Sequence, residues 1–386
     1  MKQNAIIGID ASNIRAGGGV THLIELLKAA EPAQYGIEKF IIWGGSKTLG
    51  RIEEKPWIQK IHHPYLDKSF LHRLYWAIFK LKKEAFIHKI DLLFVPGGSD
   101  ASNFQPMVTM SQNLLPFEWK ELKRYGWTFS TLKGILLRFV QGATFKKAQG
   151  VIFMTQYAQA AAIKVTGKLN ADQVVIGHGI NPMFDHEPQA ERYQHTFSPT
   201  SPCRLLYVSG LEPYKQQWHV AEAASLLQQQ GYPIYLDLVG PMGLGYQRLM
   251  ETLERLDPQQ RFIRYHGAVP YEELKQMYAS ADIGVFASTC ETFGQIVTEA
   301  MSAGLPMACS NRSAMPEILE DCGIYFDPEN PAEIAESLKI LIENPTLRFS
   351  YATKAYQKSK NFTWEKCAHQ TLGFLESQLK KYVAQS

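Results

Sequence analysis

Short apolar runs of strand length recur along this chain, each followed by a stretch with helical periodicity, and the series runs through twice. In the first half the runs are 5–9, 40–43, 92–95, 107–110, 151–154 and 174–176. In the second they are 205–208, 234–239, 262–265, 283–286 and 307–309. Strands alternating with helices imply a mostly parallel sheet covered by helices on both faces. Between the two series lies a polar stretch, 186–202, with Glu187-Pro188, Ser198-Pro199 and Ser201-Pro202, which reads as a linker. The expectation is an α/β chain of two Rossmann-like, doubly wound domains: 1–185, the linker 186–202, then 203–360, with a last segment 361–386. A length of 386 residues gives each domain enough chain for its own core. Doubly wound sheets bind ligands at the carboxyl ends of their strands, so the cleft between the domains is the expected site.

The charge balance narrows the partners. A net charge of +3 with no block of lysine or arginine predicts no nucleic-acid binding. The five cysteines are odd in number and show no Cys-x-x-Cys spacing, which argues against a disulfide framework or a zinc site and fits a reducing cytoplasm. Cys290 directly precedes Glu291, yet free cysteines most often serve as small buried hydrophobes. Eleven histidines are scattered without ligand spacing, His62-His63 included. Met1-Lys2-Gln3-Asn4 leads straight into a strand-like run and no apolar run has the length of a membrane span, so neither a signal peptide nor a transmembrane segment is expected.

The chemistry concentrates in Glu291-Thr292-Phe293-Gly294-Gln295-Ile296-Val297-Thr298-Glu299, which sets two carboxylates eight positions apart at a strand-to-helix junction. Ile283-Gly284-Val285-Phe286 upstream has strand character, whereas Ile296, Val297, Ala300 and Met301 repeat at helical spacing, so a helix is expected to start near Gly294. Its first N–H groups lack intrahelical partners and suit a phosphate or a polarised hydroxyl, and Gly294 lets a ligand approach the backbone. Two acids at a helix start can also be ordinary N-terminal acids. The surroundings add more: the Phe293-Gly294 step, the Gly304-x-Pro306 break and Pro316-Glu317-Ile318. Together with the Glu-x7-Glu pair they resemble the family 4 retaining glycosyltransferases of the GT-B fold, the group 1 glycosyl transferases of polysaccharide and lipopolysaccharide assembly.

That resemblance implies roles for individual residues. Glu291 would be catalytic and face the transferred sugar, while Glu299 would accept hydrogen bonds from the ribose hydroxyls, since two carboxylate oxygens match a diol. Phe293, Gly294 and Gln295 would offer backbone N–H groups to the donor, and Val269 matches the loop whose main chain meets the base. In Tyr207-Val208-Ser209-Gly210-Leu211-Glu212-Pro213-Tyr214-Lys215, Lys215 matches a diphosphate-binding lysine, but the position of the companion arginine is Gly210. Losing one cationic contact costs roughly 1.5 to 3 kcal/mol unless something replaces it. Gly17-Gly18-Gly19 precedes a helix with an apolar face at Val20, Leu23, Ile24 and Leu27, and matches neither a dinucleotide fingerprint nor a phosphate loop. By resemblance Gly18 and Gly19 touch the donor diphosphate; as residues alone they can equally form a flexible turn. Relatives carry a histidine near the stretch Ser111-Gln112-Asn113-Leu114-Leu115-Pro116, which has none. Gln112 or Asn113 would position the acceptor or the sugar there, or simply cap the turn before Pro116. His178, in the turn that ends the first domain, reads as structural.

No Asp-x-Asp pair occurs, so no metal or other cofactor is expected, and the base met by main chain at Val269 leaves UDP- and GDP-sugar donors both open. The segments 72–83 and 119–138 mix aromatic and basic residues, as do helices lying on anionic membranes, or as core helices with a solvated basic edge do. The sequence therefore predicts a GT-B enzyme that moves a sugar from a nucleotide diphosphate donor to a hydroxyl of a glycan or lipid-linked glycan. It would be cytoplasmic or peripheral on the inner face of the cell membrane. A GT-B epimerase or phosphorylase, or a catalytically silent partner that binds a sugar nucleotide, remain the alternatives.

Overall fold

The computed structural model describes residues 4–15 and 17–385. The chain divides into two compact units: Met1–Glu118, Phe129–Gly179 and Thr363–Ser386 form the first, Trp119–Thr128 and Ile180–Phe362 the second. Each is built on one parallel sheet. In the first unit the strands are β1 (Ala5–Ala11), β2 (Ile37–Gly44), β3 (Ile58–His62), β4 (Leu92–Val95), β5 (Met107–Ser111), β6 (Gly150–Phe153) and β7 (Asp172–Val175), in the order β3-β2-β1-β4-β5-β6-β7. Ile7 on the central strand pairs with Phe40 on one side and Leu92 on the other. In the second unit β8 (Cys203–Val208), β9 (Ile234–Val239), β10 (Ile263–Tyr265), β11 (Ile283–Phe286), β12 (Met307–Ser310) and β13 (Gly323–Phe326) follow the order β10-β9-β8-β11-β12-β13. Strand order therefore reverses between β8 and β11, which opens a crevice at their carboxyl ends.

The central strands are continuous apolar runs because both faces are covered: Leu92 to Val95 are all buried, as are Ile283 to Phe286. Two strands lie outside the apolar runs read from the sequence: β3, Ile-Gln-Lys-Ile-His, and β13, Gly-Ile-Tyr-Phe, both of them edge strands. With one flank unpaired, an edge strand keeps polar or partly exposed positions.

Residues 186–202, expected as a linker, fold into the second unit. Their short helix Ala190–Tyr193 buries Tyr193, whose hydroxyl donates to the Gly304 carbonyl. Arg192 donates to the carbonyl of Tyr278 at 3.2 Å, and the buried Arg348 donates to the carbonyls of Tyr193 at 2.9 Å and His195 at 2.8 Å. Two backbone carbonyls of this stretch, those of Tyr193 and His195, are thus met by a buried arginine instead of water.

Helix Trp364–Gln385 packs in the first unit against helix Gly18–Ala29. Its start presses on the turn after β7: a Cβ on Gly179 would lie 2.4 Å from the Trp364 nitrogen, so only glycine fits. Beside it His22 and His178 are buried, their Nδ1 atoms 2.9 Å apart, with Trp364 edge-on to both rings. His178 is a packing residue, as its turn position suggests.

Candidate functional site

At the crevice of the second unit, two loops meet. The loop after β8 ends in the turn Pro213–Lys215, and the loop after β11 carries Glu291. Lys215 Nζ donates to Glu291 Oε1 in an ion pair whose side chains are only 12% and 14% exposed. The ammonium also lies 5.1 Å from the Phe286 ring and 5.3 Å from the Tyr214 ring, an aromatic surround that favours a cation. Each partner is held by its backbone. The Tyr207 hydroxyl donates to the Lys215 carbonyl, and the Thr289 amide donates to the Tyr214 carbonyl at 2.8 Å, tying the two loops together. Ser313, in a left-handed conformation at φ 58°, grips Glu291 at two points: its hydroxyl accepts from the Glu291 amide at 2.8 Å and donates to the Glu291 carbonyl at 2.9 Å.

Three residues past Glu291 the chain turns into helix Gln295–Ser302. Gly294 is its N-cap at φ 88°, ψ 50°, and a Cβ there would lie 2.3 Å from Met315 Cε, so conformation and space both select glycine. The opening amides of this helix have no intrahelical acceptor. Phe293 is buried against Phe362, with ring centroids 5.5 Å apart. Glu299, one turn further, is buried, and its Oε2 has no hydrogen-bond partner. Burial pushes its carboxyl up to about 8, partly offset by the neighbouring Tyr278 hydroxyl, which itself completes no hydrogen bond in this geometry. Burial thus favours the protonated form of Glu299 over the carboxylate. Val269 lies half-buried beyond the edge strand β10, next to the Gly267 carbonyl that accepts from the Gly240 amide at 2.8 Å.

The first unit gathers a second group at the carboxyl ends of β1 and β5. Gly17, at φ 71°, makes the turn, while Gly18 and Gly19 are already the first residues of helix Gly18–Ala29. Gly19 faces Gln112: a Cβ on it would lie 3.2 Å from Gln112 Oε1. Asn113 Oδ1 accepts from the Leu115 amide at 3.2 Å, just ahead of the turn Leu115–Phe117. None of the five cysteines, all among the described residues, forms a disulfide, and all are buried, Cys290 among them.

Residues 189–358 match the model of the glycosyl transferases group 1. That match takes in less than half of the chain and is a likeness to the group 1 glycosyl transferases. O-antigen chain mannosyltransferase B of Escherichia coli is 33% identical over 170 residues, 43% of this chain and 44% of that protein. The match thus spans less than half the length of that curated relative. Sucrose-phosphate synthase from Thermosynechococcus elongatus aligns with a TM-score of 0.76 at 19% identity, over 98% of this chain and 100% of that one. Anabaena HepE, solved in complex with UDP and glucose, aligns with a TM-score of 0.73 at 21% identity, over 97% and 100% of the two chains. At such identities the likeness bears on fold, and the fold is GT-B.

The matched stretch holds Lys215, Val269, Glu291, Phe293, Gly294, Gln295 and Glu299 in one unit, with Lys215 and Glu291 in contact. Around them stand residues with no sequence signal. Gly210, where the arginine is missing, has room: a Cβ would meet nothing nearer than Pro241 Cγ at 3.6 Å. The excursion Trp119–Thr128 lies outside the matched stretch yet docks beside the site. The Tyr125 hydroxyl donates to Glu212 at 2.9 Å, the Thr289 hydroxyl donates to the buried Glu121, and Arg124 pairs with Glu121 at 2.6 Å and Glu329 at 2.8 Å. The mixed aromatic and basic segment 119–138 is therefore two pieces with different neighbours, divided at Phe129. Contacts such as these, which reach from residues 121–125 to Glu212, Thr289 and Glu329, leave no periodic trace in the sequence.

Proposed function

We propose that this protein is a retaining, metal-independent glycosyltransferase that moves a sugar from a UDP- or GDP-sugar to a hydroxyl of a glycan or lipid-linked glycan in surface polysaccharide assembly. The observation that carries the reading is the Lys215–Glu291 pair at the point where strand order reverses, beside a glycine-capped helix start. In this reading the diphosphate draws Lys215 away from Glu291, which frees the carboxylate for the sugar hydroxyls. The amides at Phe293, Gly294 and Gln295 approach the donor, Glu299 meets the ribose, the main chain at Val269 meets the base, and Gly18 and Gly19 serve the diphosphate. As the bond from the anomeric carbon to the phosphate oxygen breaks, the departing phosphate takes the proton of the acceptor hydroxyl, whose oxygen bonds the anomeric carbon on the same face. Gln112, beside Gly19, positions the acceptor or the sugar. Support from relatives is of two kinds: HepE was solved with UDP and glucose, and the Escherichia coli relative is named an O-antigen mannosyltransferase.

Glu291→Ala and Lys215→Ala are expected to lower transfer at least about a hundredfold, because each group acts where charge develops. Nucleoside diphosphate release from UDP- and GDP-sugars measures this, and near-normal turnover in both variants refutes the assignment. Gly210 in place of the arginine, and Gln112-Asn113 where relatives carry a histidine, favour a second reading, a silent sugar-nucleotide-binding subunit. Tight donor binding without even slow donor hydrolysis would select it.

A further inference from the structure

Helix Phe129–Lys147 of the first unit is turned inside out. Its buried positions are Thr131, Gly134, Gln141, Gly142, Thr144 and Phe145, mostly polar residues and glycines. Its outward stripe, at spacing i, i+3, i+7, i+10, is Phe129, Leu132, Leu136 and Phe139, each between 50% and 80% exposed. A helix that had only a core to fill would show the opposite order. The helical stretch Phe70–Ile87, with a π turn at Trp76–Lys80, does bury Trp76, Ala77, Leu81 and Ala85. Its other side nonetheless presents Leu71, Tyr75, Phe79, Phe86 and Ile87, between 44% and 71% exposed. Single exposed apolar residues are ordinary; stripes following the helical period mark a contact surface.

Charge identifies the occupant. The two stretches contain eight lysines and arginines and one acid, Glu84, while the whole chain is nearly balanced at 40 against 37. Arg138 and Lys146 flank Phe139 along an open groove of about 310 Å³ next to helix Gln156–Thr166. A second copy of the chain on this face would oppose two strongly basic surfaces, which is unfavourable. Anionic lipid offers the opposite charge and an apolar layer beneath it. Among the described residues no helix is long and apolar enough to cross a membrane, so the contact is with the interface. We infer that the outward faces of these two helices bind the surface of an anionic bilayer, apolar side chains at the acyl boundary and lysines and arginines against lipid phosphates.

The inference stands on exposure and charge and is independent of the transfer reaction, so the test omits donor. The full chain is sedimented with phosphatidylcholine vesicles with and without phosphatidylglycerol. Sedimentation with the anionic vesicles at low salt, reduced in high salt and on neutral vesicles, is the expected result. Phe139→Glu and the double variant Lys133→Glu, Lys146→Glu are each expected to weaken partitioning by at least about tenfold, with unchanged melting temperature. Absence of binding to anionic vesicles at low salt overturns the inference, as does equal binding by the variants. A wild-type dimer that Phe139→Glu converts to monomer also overturns it, because a second copy would then cover the face.

Discussion

Glu299 occupies the fifth position of helix Gln295–Ser302 and has its carboxyl pushed up to about 8 by burial. An acid whose folded pKa lies above the unfolded value of 4.5 holds a proton that the unfolded chain has released. Its contribution is neutral below about 4.5; stability falls as pH rises through that window, and the full cost is present above about 8. Glu299→Gln removes the cost. Urea unfolding of the two proteins should show the variant gaining on the wild type between those limits, by an amount on the order of a few kcal/mol, and a difference flat with pH would refute it. Ribose hydroxyls donating to this carboxylate favour its ionised form, so nucleotide binding near neutral pH should also release a proton, visible as a buffer-dependent binding enthalpy. Gly210 permits a converse test, because a Cβ there meets only ordinary van der Waals contacts. Gly210→Arg should tighten UDP roughly ten- to a hundredfold by titration calorimetry, the worth of one charge-assisted contact. Unchanged affinity would place the diphosphate away from residue 210. The spacing Glu291-x7-Glu299 and the lysine at 215 are legible in sequence, since a strand end, a loop and a helix start fix them locally. Ser313, Thr289 and Glu121 are not, since what they do depends on chain brought from elsewhere.

Among the elements, the buried central strands announce themselves as apolar runs, and the edge strand β3 does not, because its unpaired flank tolerates polar residues. The same logic hides the excursion Trp119–Thr128, which is short and held by side-chain hydrogen bonds and ion pairs. Helix Trp364–Gln385 is the element whose hold on the fold is most open to titration. It starts on the His22–His178 pair, in which one ring must accept from the other. Burial lowers His22 to about 4 and His178 well below its usual range. For a histidine kept neutral inside the fold, stability is complete above the unfolded value of 6.5 and is lost as pH falls toward about 4. Protection factors of the amides in this helix should therefore fall over that interval, and His22→Leu should weaken the dependence. Equal acid sensitivity in the variant would assign the effect to other groups.

At the scale of the whole molecule, the chain passes between its two units four times, and each unit closes its own parallel sheet. Most candidate donor residues belong to the second unit, in loops joined by the Tyr214–Thr289 hydrogen bond and the Lys215–Glu291 pair. A ligand that binds there stabilises the native state in proportion to its affinity and quiets the loops it touches before anything else. Nucleotide at 100 times its dissociation constant adds about 2.7 kcal/mol of stability, so UDP, GDP, ADP and TDP can be ranked by the rise in melting temperature each produces. The nucleotide that ranks first should then slow amide exchange at 209–217 and 288–299, where the helix-opening amides and the backbone of Lys215 lie, and leave the edge strands β3 and β13 unchanged. Lys215→Ala should reduce both the thermal shift and the protection, since the cation is the strongest attraction a diphosphate meets in this crevice. Protection confined to the first unit, or a thermal shift untouched by Lys215→Ala, would move the nucleotide away from the crevice between β8 and β11. The Lys215–Glu291 pair would then be a tie between two loops and nothing more.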